Sequence, residues 1–173
     1  MNADITYQPE SGNSEEVYFE EPSVWNSQTW TWVKFEDSEF QDWFGSFRGE
    51  PFGHLAFSEI SGHAIIPTSD ATYIVDINKR ELLKLIDSKY QIGHVTLAPD
   101  GQTFILASFC ELFRTSINYD LIEIQNQLDI DFVEFGSKTE DAVEFEYEEI
   151  GVWNRQKAKI DTKNWGIELR STI

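Results

Sequence analysis

Residues 62–81, GHAIIPTSDATYIVDINKRE, contain the pattern that decides the fold. Two short apolar runs, Ala64–Pro67 and Thr72–Asp76, are separated by the turn-forming residues Thr68, Ser69 and Asp70. Ile, Val, Thr and Tyr, which favour strands, dominate both runs. The stretch therefore predicts a β-hairpin, in which two antiparallel strands are joined by a tight turn.

The same pattern returns 31 residues later. Residues 93–112, GHVTLAPDGQTFILASFCEL, repeat the Gly-His start, the strand, the turn and the strand that begins with an aromatic residue. Over residues 53–115 this pattern resembles the blade repeat of a β-propeller, in which each blade is an antiparallel meander. Four aligned pairs are identical: Gly62/Gly93, His63/His94, Thr72/Thr103 and Ile74/Ile105.

The rest of the chain is mostly strand-like as well. Two exceptions have helical spacing: Ser38–Phe44, with aromatic residues at i, i+3 and i+4, and Tyr119–Leu128. The sequence thus predicts a mainly β chain, an antiparallel β-meander resembling a partial, open β-propeller, with one or two short helices. Further strands are expected at Thr29–Phe35, Leu55–Ser58, Leu82–Ile86, Val95–Ala98, Thr103–Ser108, Glu111–Thr115, Phe132–Phe135, Val143–Ile150, Lys157–Ile160 and Trp165–Leu169.

Composition suggests how these segments are organised. Residues 1–16 are polar and poor in large apolar groups, which predicts a flexible acidic N-terminal tail. Residues 17–173 are predicted to form a single β-rich domain, because 40% of the chain is hydrophobic and 14% is aromatic. Within it, residues 130–173 are expected to be acidic C-terminal strands.

The net charge of the chain is strongly negative. There are 31 acidic and 13 basic residues, giving a formal net charge of −18 at pH 7. A field of this sign repels nucleic acids and anionic membranes and attracts basic proteins. The charge therefore predicts neither direct nucleic-acid binding nor membrane binding. Acidity can also serve solubility alone, and that alternative stays open.

One acidic segment has a regular pattern. In VEFEYEE, residues 143–149, Val143, Phe145 and Tyr147 alternate with Glu144, Glu146 and Glu148, so that a strand would line three carboxylates along one face. Such a row of like charges suits a basic partner. The other interpretation is a solvent face paired with cations from the neighbouring strand, with Arg155, Lys157, Lys159 and Lys163 as candidates.

A second acidic cluster stands next to a tryptophan-rich stretch near the N-terminus, and aromatic anchors beside charges are typical of protein interfaces. Its members are Glu10, Glu15, Glu16, Glu20 and Glu21. The candidate partner-binding residues are accordingly Glu144, Glu146, Glu148, Glu149, Asp131, Glu134, Trp25 and Trp153.

The sequence offers no recognisable catalytic machinery. It lacks the nucleophile elbow, the zinc-protease helix motif, the P-loop and the Cys-x-x-Cys pair, so no catalytic residue, cofactor or metal site is predicted. Three Gly-His pairs could gather around a metal, but each is better explained as a strand start. Cys110 follows an apolar run, which predicts a buried thiol. With no secretory signal and no long apolar stretch, we expect a cytoplasmic protein.

Four stretches of the chain carry a resemblance to a known family: DWFGSFRGEPFGHLAFS (42–58), SDATYIVD (69–76), PDGQTFILAS (99–108) and GVWNRQKAKIDTKNWGIEL (151–169). In these stretches the chain resembles the small immunity proteins of bacterial contact-dependent growth inhibition and related polymorphic-toxin systems. The resemblance implies one partner, a cognate toxin nuclease domain that is basic and whose active site the immunity protein blocks. It implies no catalytic residues.

Two other functions remain compatible with the sequence. The first is a propeller-like scaffold that binds another cytoplasmic partner, in which case the acidity serves solubility. The second is a hydrolase that uses paired carboxylates or a histidine metal site. Metal analysis and the effect of charge reversal at Glu144, Glu146 and Glu148 would separate these alternatives.

Overall fold

A computed structural model describes residues 1–10, 14–20 and 27–169, and only the backbone of residues 152 and 153. Within these residues there are sixteen strands and one 3-10 helix, Ser88–Tyr90. Their hydrogen bonds form four sheets of four strands. The chain divides into two compact units, Met1–Gln91 and Ile92–Ile173, where the sequence predicted a single domain.

Unit 1 contains the first two sheets. Sheet 1 has the strand order β1-β3-β4-β2 and sheet 2 the order β5-β6-β7-β8. All pairs are antiparallel except β2 with β4, which is parallel. The strands are β1 (Asn2–Thr6), β2 (Glu16–Phe19), β3 (Trp30–Glu36), β4 (Asp42–Arg48), β5 (Ala56–Ser58), β6 (His63–Pro67), β7 (Ala71–Asp76) and β8 (Glu81–Asp87).

Unit 2 contains two antiparallel meanders, in which each strand pairs with the next along the chain. The strands of sheet 3 are β9 (His94–Leu97), β10 (Phe104–Ala107), β11 (Leu112–Thr115) and β12 (Leu121–Glu123). Those of sheet 4 are β13 (Ile130–Lys138), β14 (Ala142–Glu149), β15 (Val152–Asp161) and β16 (Gly166–Leu169). The predicted mainly β meander is thereby confirmed.

Each unit has its own hydrophobic core. In unit 1, sheets 1 and 2 bury aromatic side chains together, with Phe35, Trp43, Phe47 and Tyr73 fully inaccessible. In unit 2, sheets 3 and 4 share a mainly aliphatic core around Phe145. Burying this much large apolar surface is the dominant favourable contribution to folding.

The two predicted helices are both wrong. Residues 38–44 instead form the turn between β3 and β4 and the start of β4. The Asp37 carboxylate accepts hydrogen bonds from the backbone N–H groups of Glu39 and Gln41. Phe40 then adopts a φ of 60°, which reverses the chain. Trp43 and Phe47 therefore follow the two-residue period of a strand rather than a helical stripe.

The predicted helix Tyr119–Leu128 is absent for the same physical reason. The Ser116 hydroxyl accepts hydrogen bonds from the N–H groups of Asn118 and Asp120, and Tyr119 has a φ of 61°. The chain turns back and pairs β12 with β11, so that Thr115 lies opposite Leu121. Side chains that bond to nearby backbone compete with helix formation.

The prediction that residues 1–16 form a flexible tail is wrong for the first residues of the chain. Asn2–Thr6 is strand β1, which runs along β3 from the pair Asn2 and Glu36 to the pair Thr6 and Trp32. Ala3 from this strand enters the core of unit 1. Backbone hydrogen bonding to a sheet edge thus holds residues whose composition alone suggested a loose segment.

The repeat also has a different length from the predicted one. The 31-residue offset matches β6 and β7, the second and third strands of sheet 2, with β9 and β10, the first and second strands of sheet 3. The turn between the second and third strands begins at Thr68 in sheet 2 and at Ser108 in sheet 3. These equivalent turns are 40 residues apart, so the structural repeat is longer than 31 residues. Thr68 and Ser108 each donate the backbone N–H to the carbonyl three residues later, at 2.8 and 2.9 Å.

Candidate functional site

The acidic strand β14 is the site that the sequence singled out, and its alternation is as predicted. Val143, Phe145 and Tyr147 are buried, whereas Glu144, Glu146 and Glu148 lie half-buried on the opposite face of sheet 4. The neighbouring strand β15 places a cation opposite each of these carboxylates. The pairs in register are Glu144 with Lys159, Glu146 with Lys157 and Glu148 with Arg155.

These facing residues form an ion-pair ladder across β14 and β15. Lys157 Nζ lies 3.0 Å from Glu146 Oε1, and Arg155 lies within 3.8 Å of both Glu146 and Glu148. Arg155 also contacts Glu134 of β13 at 3.2 Å. Of the two interpretations that the sequence left open, pairing with the neighbouring strand is the one present here.

The carboxylates of this face outnumber its cations: Glu134, Glu144, Glu146, Glu148 and Glu168 stand against Arg155, Lys157 and Lys159. Arg155 is shared by three glutamates, and Lys159, which stands opposite Glu144, contacts Glu168 of β16 at 2.9 Å. Glu144 accepts a hydrogen bond from the Ser137 hydroxyl at 2.7 Å. This face therefore keeps a negative charge after its internal pairing.

A shallow groove opens on the same face. A β-bulge in β13 around Gly136 and Ser137 interrupts its register with β14 and leaves a space of about 160 Å³. Gly136 contributes no side chain to fill it, and the groove is bordered by Glu144, Glu146 and Lys157. Glu146 is paired with Lys157 and Glu144 accepts a hydrogen bond from Ser137, so the charged borders of the groove are engaged within sheet 4.

The other predicted partner residues lie at different places. Asp131 of β13 stands opposite Glu148, and Ile130 stands opposite Glu149, so both acids lie at one end of sheet 4. In the described part of the chain, neither Asp131 nor Glu149 takes part in an ion pair. Trp25 lies outside the described residues, and of Trp153 only the backbone, within β15, is described.

The N-terminal acidic cluster has a structural role in unit 1. Glu15 pairs with Arg80, which also contacts Asp37 at 3.2 Å, and Glu20 pairs with Arg48. The Arg48 guanidinium lies 3.7 Å from the centre of the Trp30 ring. These ion pairs thus connect the segment around β2 to β4 of sheet 1 and, through Arg80, to the turn between β7 and β8 of sheet 2. Glu21 lies outside the described residues.

Possible catalytic and metal-binding residues are dispersed. Among residues 1–10, 14–20 and 27–169, no three His, Cys, Asp or Glu side chains are grouped so as to hold a metal ion. Cys110 is exposed in the turn between β10 and β11, which contradicts the predicted buried thiol. No helix within the same residues is long and apolar enough to cross a bilayer.

The pKa of Glu146 gives a direct test of the ladder. Its hydrogen bond and ion pair with Lys157 lower that pKa below the usual glutamate value. In Lys157→Gln we expect the pKa of Glu146 to rise towards its usual value, as measured by NMR pH titration. Lys163→Gln, which removes the contact with Asp141, serves as the control and should leave Glu146 unchanged. An unchanged Glu146 in both variants contradicts the ladder.

No protein-family model and no curated protein matches the chain. Solved structures do match. Kuenenia stuttgartiensis hydrazine synthase is similar with a TM-score of 0.60 and 15% identity, over 86% of this chain and 51% of that one. A putative TolB from Agrobacterium tumefaciens has a TM-score of 0.51 and 11% identity, over 81% and 60% of the two chains.

The chain thus spans about half to three fifths of the length of these two structures. At such low identity the likeness concerns the fold alone. It agrees with the four-stranded meanders described above. The chain is mainly β, with a meander that resembles part of a β-propeller.

Proposed function

We propose that this chain is an immunity protein that binds a cognate basic toxin nuclease domain and blocks its active site. On this proposal the chain is a binding protein rather than an enzyme, acts in the cytoplasm and contacts neither nucleic acid nor membrane directly. The identity of the partner rests on the resemblance of the sequence to immunity proteins, and the electrostatic part rests on the acidic face of sheet 4.

The excess of carboxylates over cations on sheet 4 is the observation that supports a basic partner most directly. Asp131, Glu134 and Glu149 join the three glutamates of β14 on or beside this face, where the cations are Arg155, Lys157 and Lys159. A nuclease must present positive charge to hold phosphates. An acidic surface would compete for that groove and accelerate the encounter.

The negative charge is not confined to sheet 4, because the whole chain is strongly acidic. Nine of its 13 cations are engaged by carboxylates within the described residues, and the formal net charge of −18 remains after all 13 have been counted. These cations are Lys34, Lys79, Lys89, Lys157, Lys159, Lys163, Arg48, Arg80 and Arg155. A partner cation would therefore meet a surface whose attraction is long-ranged at low salt.

The test uses the product of the immediately upstream gene, with its catalytic activity removed, as the binding probe. The proposal expects a 1:1 complex with this probe by calorimetry, association that slows as salt rises, and inhibition of the active nuclease in a cleavage assay. A probe that is not a toxin domain, or that does not bind, overturns the proposal.

Neutral variants then locate the charge effect. Asp131→Asn, Glu134→Gln and Glu149→Gln together should slow association at low salt by about tenfold or more and flatten its salt dependence. The matched control combines Glu39→Gln, Glu59→Gln and Glu81→Gln, three exposed acids of unit 1. It changes the net charge equally, and we expect a much smaller effect on the association rate. Equal effects of the two sets would mean that net charge alone matters.

The ladder also favours a second candidate function. Because Glu146 and Glu148 already have cation partners in β15, these carboxylates can serve only to hold β14 and β15 together, without contacting a partner protein. The chain would then be a propeller-like scaffold for another cytoplasmic partner. In that case charge reversal at Glu144, Glu146 and Glu148 should leave partner binding intact, whereas an acidic interface on sheet 4 should lose it.

A further inference from the structure

Six large apolar side chains are exposed in the described part of unit 2: Ile117, Ile122 and Leu169, and the three considered for an interface, Phe109, Phe132 and Ile150. Phe109 lies in the turn between β10 and β11, Phe132 lies on the edge strand β13, and Ile150 lies in the turn between β14 and β15. They are 43%, 54% and 57% exposed. Single exposed apolar residues are common on proteins, so their position relative to one another decides whether they matter.

The contacts of unit 2 place all three at the same end of sheets 3 and 4. The ring centres of Phe132 and His94 are 6.3 Å apart, and His94 pairs with Ala107, two residues before Phe109. The N–H of Ile150 donates to the carbonyl of Asp129, close to the start of β13. Strands β9 and β13 also contact each other, which brings these parts of unit 2 together. Phe109, Phe132 and Ile150 are here called the bulge patch.

The backbone of Phe132 is strained in a way that favours this exposure. Its φ is 53°, a region that bulky residues rarely adopt. The register of β13 with β14 shifts between Asp131 and Glu134, so Phe132 sits in a β-bulge. The bulge keeps Ile130 and Val133 in the core while the Phe132 side chain is presented to solvent. Strain of this kind is concentrated at functional sites.

Acidic groups border the patch. Asp131 and Glu149 flank its β13 and β14 side, and within the described residues neither takes part in an ion pair. An apolar centre with a charged border is the usual composition of a protein interface, in which buried aromatic residues supply most of the affinity. The sign of the border selects a basic partner.

We infer that the bulge patch is the contact surface for the basic protein partner, with Phe132 inserted into an apolar depression of that partner. This inference rests on the proposed function and adds to it the location and the anchor residue. The Asp131 and Glu149 carboxylates pair with cations that surround the depression. The ion-pair ladder on the flat face of sheet 4 then lies beside the contact rather than at its centre.

Phe132→Gly separates binding from stability. Glycine accepts a positive φ without strain, so the variant should keep or raise its melting temperature. Its affinity for the inactivated product of the upstream gene should fall by about 10- to 30-fold, mainly through faster dissociation. The matched control is Phe40→Gly in unit 1, where an aromatic residue with a φ of 60° is 78% exposed. It should bind as the wild type does.

A second variant guards against misfolding. Ile150→Ser lies in a turn outside the core and should weaken binding several-fold with an unchanged circular dichroism spectrum. Wild-type affinity in both Phe132→Gly and Ile150→Ser overturns the inference while leaving the proposed function standing. Equal losses in Phe132→Gly and Phe40→Gly overturn it too. If the wild type itself does not bind, the proposed function fails and the inference fails with it.

Discussion

Trp43→Ala should lower the free energy of unfolding of unit 1 by about 3–5 kcal/mol, the typical cost of truncating a fully buried aromatic residue. Trp43 is completely inaccessible, and its ring stacks on Phe35 with centres 4.3 Å apart. Its indole N–H donates to the carbonyl oxygen of Ile77 at 3.1 Å. The substitution therefore creates a cavity and leaves a buried acceptor without its donor.

Urea unfolding followed by circular dichroism measures this loss, and two further variants divide it into parts. Trp43→Phe keeps a ring but removes the N–H, and should cost about 1–3 kcal/mol. Tyr7→Ala, at a residue that is 92% exposed, should change stability by no more than about 0.5 kcal/mol. If Trp43→Ala costs no more than Tyr7→Ala, Trp43 does not occupy the core of unit 1.

The strands were predictable because local pattern and tertiary packing agree in them. Thr72–Asp76 has strand-forming residues and an adjoining turn, and it became the fully buried β7. The residues around Trp43 show the opposite case, because their helical spacing conflicts with the turn made by Asp37. A single carboxylate that bonds to two backbone N–H groups outweighed the aromatic spacing, and composition does not reveal such a bond.

The site was predictable only in part. The alternation in residues 143–149 correctly gave the two faces of β14, and the basic residues of β15 were recognised as possible partners. The sequence could not decide between pairing and an open acidic row, because strand register depends on the turn and the bulge around it. The sharing of Arg155 among Glu134 of β13 and two glutamates of β14 follows from that register.

Phe132 went unnoticed as an exposed residue for a similar reason. It was expected to be an ordinary member of a strand, whereas Ile130 and Val133 are the buried members of that segment. Two core residues three positions apart break the two-residue period of a strand. In a strand this spacing indicates a bulge, and it was the available sequence signal for the bulge patch.

Acid should destabilise unit 1 in two steps, through His63 and then Asp76. Burial is the main cause that lowers the pKa of His63 below its usual value of about 6.5, against the opposing effect of Asp76. The folded state therefore resists protonation of His63. Its contribution to stability is present above about pH 6.5 and is lost as the pH falls through the lower, folded-state pKa.

Asp76 titrates at lower pH. Burial alone would raise its pKa, but the backbone N–H and ammonium group of Lys79 and the nearby His63 lower it overall. The carboxylate accepts hydrogen bonds from the N–H groups of Asn78 and Lys79 at 3.0 and 2.9 Å, and lies 3.7 Å from His63. Its contribution is present above about pH 4 and is lost as the pH falls through its folded-state value.

Asp76→Asn should change the dependence of the unfolding free energy on pH in opposite directions in two ranges, the limb between pH 7 and 5 and the limb below about pH 4. At pH 7 it should cost about 1–3 kcal/mol, because charge-assisted hydrogen bonds become neutral ones. Between pH 7 and 5 the decline should steepen, since His63 loses the carboxylate that favours its protonated form. Below about pH 4 the decline should flatten, because the titrating group is gone. Urea unfolding at a series of pH values, followed by tryptophan fluorescence, measures both limbs.

Two controls assign the limbs to the two residues. His63→Gln should flatten the profile between pH 7 and 5 and leave the limb below pH 4 in place, since Asp76 still bonds to Asn78 and Lys79. Glu59→Gln, at an exposed acid in the same unit, should follow the wild type throughout. Parallel profiles for Asp76→Asn and the wild type would mean that this turn does not couple the stability of unit 1 to pH.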